Sequence, residues 1–128
     1  MTFTVTIITP ERSLPPMDAD HVTVQAVDGE VGIRTGHAPL VALIGEDGFA
    51  MVRVAGQHDY RAFALRGGVA QMLDNQLKIL TPNAVDVHAL DPATLAKREA
   101  AAKTDADRAW VAWQQAVARK WPARAGRV

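Results

Sequence analysis

Between Phe3 and His88 the apolar residues recur mainly at every second position, as in Phe3, Val5 and Ile7, then Val22, Val24 and Ala26, then Ala50, Val52 and Val54, then Leu77 and Ile79. A period of two puts successive side chains on opposite faces of an extended chain, so this region is built of half-buried strands. Turn signals cut it into short pieces at Thr9-Pro10, Pro15-Pro16, Asp28-Gly29, Gly36 to Pro39, Gly45 to Gly48, Ala55-Gly56, Asp74-Asn75 and Pro82-Asn83. Short strands at that spacing bury their apolar faces by stacking one sheet on another, which predicts an all-β sandwich.

The pattern changes at Leu90. Asp91 is suited to cap a helix with Pro92 at its first position, where the missing N–H costs nothing, and the Ala-rich stretch that follows predicts a helix from Pro92 to about Lys103. Thr104-Asp105-Ala106-Asp107 offers a second cap with acids in the first turn, and a second helix runs to Trp121, where Pro122 stops it. The expected organisation is a β-sandwich domain over 1–88 and a helical hairpin with a basic tail over 89–128. On the second helix Ala106, Trp110, Trp113, Val117 and Trp121 fall along one stripe. A helix of this length is marginal alone, so the stripe must dock on the first helix, on the sandwich or on another subunit.

At 128 residues the chain holds one core and an appendage. It has no run of about 20 apolar residues able to cross a bilayer, and no cysteine, which excludes disulfides and thiolate chemistry. Residues 1–88 carry six Lys or Arg against ten Asp or Glu, a net of −4, and residues 89–128 carry eight against four, a net of +4. An acidic body argues against a nucleic-acid partner, which needs a basic stripe on the folded domain. Ser13 is the only serine and no phosphate-binding Gly-x-x-x-x-Gly-Lys-Ser/Thr loop exists, so neither a serine relay nor nucleotide hydrolysis is expected. Asp18, Asp20 and His21 read as a polar strand entry rather than metal ligands, His58 and His88 as ordinary strand residues, and no cofactor or metal is expected.

Residues 26–40 hold three of the nine glycines. Gly29 and Gly32 bracket Glu30-Val31, and Gly36-His37-Ala38-Pro39 makes a stiffer turn that presents an imidazole, which predicts a rigid loop carrying a carboxylate and a histidine. The spacing Gly-Glu-Val-Gly-Ile followed by Gly-His-Ala-Pro-Leu resembles the signature of the epsilon subunit of rotary F-type ATP synthases. Arg66-Gly67-Gly68-Val69-Ala70-Gln71-Met72 with Asn75-Gln76-Leu77-Lys78-Ile79-Leu80, and the opening Phe3 to Glu11, resemble two further blocks of that family in the right order. The resemblance covers residues 1 to about 88. Arg34-Thr35, Val69 and Gln71 stand where the family has Leu-Pro, Phe and Glu, which points to a divergent or alternate-operon bacterial branch.

The resemblance implies a sandwich of about ten strands followed by the short helical hairpin, in a non-catalytic central-stalk subunit that couples ion-driven rotation of the c-subunit ring to ATP synthesis. The implied partners are the gamma subunit, the c ring and, through the C-terminal helices, the catalytic alpha and beta subunits. The implied location is peripheral, on the cytoplasmic face of the bacterial inner membrane, with the membrane met only through the complex. The alternative is a free-standing sandwich module with a helical docking arm. Glu30, Arg34, His37 and Pro39 are the candidate subunit contacts, with Glu30 facing the ring. Gly29, Gly32, Gly36, Gly67 and Gly68 are candidate structural turns, Trp110, Trp113, Val117 and Trp121 pack the hairpin, and Arg108, Arg119, Lys120 and Arg124 are candidate regulatory cations. In some members ATP binds the folded hairpin through an acid followed three residues later by Arg-Ala. Here Thr94 stands in the arginine's place after Asp91, and only Asp105-Ala106-Asp107-Arg108-Ala109 repeats the pattern, on the second helix.

Overall fold

The computed structural model describes residues 2–56, 60–89 and 92–122. The expected Asp91 cap and the residues His58 and Arg124 lie outside them. Among the described residues nine strands are formed: β1 (Phe3–Ile8), β2 (Met17–Ala26), β3 (Gly29–Arg34), β4 (Leu40–Ile44), β5 (Gly48–Val54), β6 (Tyr60–Leu65), β7 (Gly68–Leu73), β8 (Gln76–Leu80) and β9 (Ala84–Asp86). A single 3-10 turn at Val87–Ala89 leads to α1 (Pro92–Ala101) and α2 (Asp105–Lys120).

The strands form one hydrogen-bonded path, β4-β7-β8-β1-β2-β5-β6-β9, with β3 added to β2. The path becomes two layers because β2 changes partners. Met17 to Ala19 pair with β1, the register against β5 slips between Ala19 and His21, and from His21 to Ala26 the strand pairs with β3 instead. A slip of this kind bends a strand and sharpens its twist, which carries β2 from one sheet into the other. The first sheet is thus β4-β7-β8-β1 and the second β3-β2-β5-β6-β9.

Between them lies a core of Phe3, Val5, Ile7, Val22, Val24, Ile33, Ala50, Val52, Phe63, Leu65, Met72, Leu77 and Ile79. The alternation read from the sequence supplies it: β1 and β8 show one buried residue in every two. Strands β5 and β6 depart from that pattern, with runs of buried residues at Gly48–Val52 and Ala62–Leu65. Their second face is covered by α2. Phe49, Ala62, Ala64 and Val87 pack there against Trp110 and Val117, with Trp113 and Trp121 at the border. The stripe therefore docks on the sandwich, and the small Ala62 and Ala64 make room for its indoles.

α2 begins where the cap predicts: the Thr104 side chain accepts from the Asp107 N–H at 3.0 Å. It ends at Lys120, where the Trp121 N–H bonds the Val117 carbonyl at 2.9 Å. Among the described residues no helix is long and apolar enough to cross a membrane.

Candidate subunit-contact surfaces

The Gly36 to Pro39 turn sits at one end of the sandwich and is tied down from three directions. Gly36 takes φ +81°, a left-handed conformation that glycine adopts freely, and its N–H donates to Asn75 Oδ1 at 2.7 Å. Asn75 belongs to the β7–β8 hairpin, whose Asp74-Asn75 pair has φ of 50° and 59°, the two left-handed residues of a type I′ turn. Its carbonyl also accepts from the Thr4 N–H at 3.1 Å. His37 closes the turn on itself: its N–H donates to the Arg34 carbonyl at 3.1 Å and its Nδ1–H to the Ala38 carbonyl at 2.7 Å. These bonds secure the corner, with Pro39 exposed beside it.

Glu30 is elsewhere. The expected corner at Gly29 to Gly32 is a strand: β2 and β3 pair without a break from Ala26–Gly29 to His21–Arg34. Gly29 has φ +126° at the hairpin end, but Gly32 lies mid-strand outside the positive-φ set. The backbone completes its ladder rather than turning, and the four strand steps from Glu30 to Arg34 alone put about 13 Å, at ~3.3 Å per residue, between Glu30 and the start of the His37 turn. Glu30 stands half-exposed on the outer face of the second sheet, with Lys120 Nζ of α2 at 3.6 Å. That ammonium also lies 5.7 Å from the Phe49 and Trp121 ring centroids. Of the candidate contacts, the structure brings Arg34, His37 and Pro39 together at one end and places Glu30 against the helix.

Polar bonds fix α2 along its length. Arg66 donates to Asp107 and to Glu46, each at 3.2 Å, with its guanidinium 5.9 Å from the Trp110 ring centroid. Burial works against the Arg66 charge, but the bonds to Asp107 and Glu46 outweigh it and raise its pKa. Trp113 Nε1–H donates to the Gly48 carbonyl at 2.7 Å, and His88 Nε2–H to the Trp121 carbonyl at 2.6 Å. Gln114, fully buried, accepts from Arg98 of α1 at 2.8 Å. Between hairpin and sandwich is a cavity of about 400 Å³ lined in part by Arg66, Asn83, Arg98, Asp107 and Gln114. Arg108 pairs with Asp105 at 2.7 Å, away from it, and Arg119 is exposed.

The outer face of the first sheet has no such cover among the described residues. Register aligns Leu43 with Val69, Val69 with Leu80, and Leu80 with Ile8, an apolar row across four strands. Leu43 is 59% exposed, Leu80 46% and Val41, on the same face, 66%. A shallow groove of about 380 Å³ bounded by Ile8, Pro10, Leu80 and Pro82 extends the row.

Gly67 and Gly68 position this row at the β6–β7 corner, with φ of +78° and +118°. A Cβ on Gly68 would lie 2.0 Å from the Leu80 carbonyl oxygen. Gly48 is also crowded, since a Cβ there would lie 2.2 Å from the Ile44 Cγ2 methyl. Sequence reasoning marks Gly48 and Asn75 only as turn residues and Arg66 only as part of a family-like block, without their contacts, and does not mark Gln114. For Gln114 a signal existed, its place four residues after Trp110 and three before Val117.

Residues 2–87 match the family model of the ATP synthase delta/epsilon chain beta-sandwich domain. The chain belongs to the ATP synthase epsilon chain family. An ATP synthase epsilon chain of Gloeothece citriformis is 33% identical over 116 residues, covering 91% of this chain and 72% of that one. Another, of Nostoc punctiforme, is 37% identical over 84 residues, 66% of this chain, so the match spans 61% of that relative's length. Among solved structures, a chain of the Euglena gracilis mitochondrial ATP synthase OSCP/F1/c-ring assembly shares the fold at TM-score 0.64 and 19% identity, covering 91% of this chain and 76% of that one. A chain of the Tetrahymena thermophila mitochondrial ATP synthase central stalk and c ring does so at TM-score 0.57 and 16% identity, covering 91% and 90%. The family model accounts for the sandwich, and the relatives carry the name ATP synthase epsilon chain.

Proposed function

We propose that this epsilon chain is a central-stalk subunit of an F-type ATP synthase, docked on the gamma subunit through the outer face of its first sheet. In this role it passes ion-driven rotation of the c ring towards the catalytic head. It is held peripherally on the cytoplasmic face of a bacterial inner membrane. The observation that carries the reading is the uncovered row Leu43–Val69–Leu80–Ile8, set beside a second sheet whose outer face has its own helix. Contiguous exposed apolar side chains of this kind mark a protein-protein surface. The corner of Arg34, His37 and Pro39 and the ring-facing role of Glu30 belong to the same proposal, as does contact of the hairpin cations with the alpha and beta subunits.

Burying the exposed half of a leucine is worth about 1–1.5 kcal/mol, at ~25 cal/mol per Å² of apolar surface. Introducing a carboxylate there adds a desolvation penalty. Leu43→Asp with Leu80→Asp should abolish co-elution with purified gamma in size-exclusion chromatography and leave the melting curve unchanged, because both side chains point to solvent. Co-elution of the double variant would remove the row as the contact. Failure of the unmutated chain to bind gamma would remove the stalk reading and favour the free-standing module.

A further inference from the structure

The outer face of the second sheet is only partly covered by α2. Beyond the helix, β2 and β3 form a polar shelf, and at its end register sets three nitrogen side chains in a line: His21 pairs with Arg34 on one side and with Arg53 on the other. Cations directly opposite one another across strands repel. The fold relieves only part of this. Arg53 Nε donates to Asp20 at 2.6 Å, and His21 Nε2 shares a hydrogen bond with Thr23 Oγ1 at 3.1 Å, while Arg34 makes no ion pair among the described residues. Gly32 leaves the strand bare beside the imidazole, since even a Cβ there would come within 3.4 Å of His21 Cε1. The corner next to the His37 turn thus holds Arg34 without an ion pair among the described residues, beside an Arg53 that Asp20 engages through Nε.

We propose that Arg34 and Arg53, flanking His21, seat a carboxylate-bearing segment of a partner protein. Guanidinium groups offer planar forks that match carboxylates in a bidentate way. Adjacent strands lie ~4.8 Å apart, so the backbones that carry the two arginines stand about 10 Å apart on either side of His21 and suit one acidic segment laid across the strands. Asp20 and Glu30 on the same face disfavour a broad anionic membrane while leaving room for a single segment. His21 is the reporter rather than the ligand, because its Nδ1 is buried without a partner. Burial, then Arg34 and Arg53, lower its pKa against the opposing pull of Asp20. An anion on the two arginines stabilises the imidazolium, so binding must raise the His21 midpoint.

The test follows the His21 ring by NMR in the full-length, histidine-labelled chain as pH is varied, with and without hexaglutamate at constant ionic strength. A peptide that binds the imidazolium form ~3-fold tighter raises the midpoint by about half a pH unit. The expected result is a saturable rise of that order in the unmutated chain, its loss in Arg34→Gln, and its retention in Lys78→Gln, a cation on the opposite sheet. Arg34→Gln should also raise the midpoint in peptide-free buffer. No rise with hexaglutamate, or an equal rise in Arg34→Gln, overturns the proposal. A rise with phosphatidylglycerol vesicles and none with the peptide assigns the corner to membrane and overturns it too. None of these outcomes depends on gamma binding.

Discussion

Gly68 is the position where a single methyl group should cost most. Built onto its backbone, the methyl carbon falls 2.0 Å from the Leu80 oxygen, 2.9 Å from Thr81 Cα and 3.0 Å from the Leu80 carbonyl carbon. All three are backbone atoms, so no side chain can swing aside and β7 must move away from the end of β8. That movement strains the Val69–Leu80 pairing and puts about one ladder hydrogen bond at risk, ~1 kcal/mol. A residue other than glycine at φ +118° adds ~1–3 kcal/mol of backbone strain. With the residual overlap, Gly68→Ala should lose roughly 3–5 kcal/mol, a large share of the ~5–15 kcal/mol that holds a domain together. Its neighbour is the control. Gly67 has φ +78°, and its added Cβ would find only the Ile44 oxygen, at 3.9 Å, so Gly67→Ala should cost just the left-handed penalty of ~1–2 kcal/mol.

Urea and thermal melts of the two variants separate these figures. At ~3–5 °C per kcal/mol for a chain of this size, Gly68→Ala should melt at least 10 °C below the unmutated chain and Gly67→Ala less than that. Gly68→Val should be worse again. If Gly68→Ala melts within about 1 kcal/mol of the unmutated chain, or no lower than Gly67→Ala, the close approach to β8 is not what fixes this residue. If Gly68→Val keeps its stability and loses only gamma binding, Gly68 is a contact rather than a structural turn.

The Glu30–Lys120 pair is half-exposed and 3.6 Å long, so Lys120→Ala should cost less than about 1 kcal/mol of stability; a larger loss would mean that the ammonium's place over Phe49 and Trp121 dominates. Glu30→Ala should weaken rotary coupling in the assembled enzyme modestly, and a cysteine at position 30 should crosslink to a c-ring loop cysteine; crosslinking only to gamma would move this surface away from the ring. Trp113→Phe removes the donor to the Gly48 carbonyl while keeping the ring, and should loosen α2 by about 1 kcal/mol, read as faster amide exchange in α2 than in β1. The isolated chain should bind ATP weakly, because Arg66 already serves Glu46 and Asp107 and Arg98 serves Gln114. Calorimetry showing binding tighter than about 0.1 mM, roughly −5.5 kcal/mol, would show that those arginines are released to the phosphates.

The strands and the hairpin were readable because their signals are local: a period of two, turn residues, and the Thr104 cap. What pairs across the chain was not. Glu30 and His37 are neighbours in sequence, yet a paired strand holds them at opposite ends, and the partner of Glu30 lies ninety residues on, at Lys120. Nothing in the residues around Asn75 announces that its side chain will hold the Gly36 turn. One long-range fact was nevertheless written locally. A sandwich strand with one wet face alternates, and two regions here do not: Phe49 to Val52 with Ala62 to Leu65, and Leu40 to Ile44. An extended segment that is apolar on both faces requires a cover on each. For β5 and β6 the chain supplies it, laying the tryptophan stripe of α2 over Phe49, Ala62 and Ala64. For β4, Leu40, Ala42 and Ile44 turn to the core while Val41 and Leu43 remain in water. The same sequence signal thus has an internal answer on one sheet and an unanswered one on the other, which is why the outer face of the first sheet carries the proposed gamma contact.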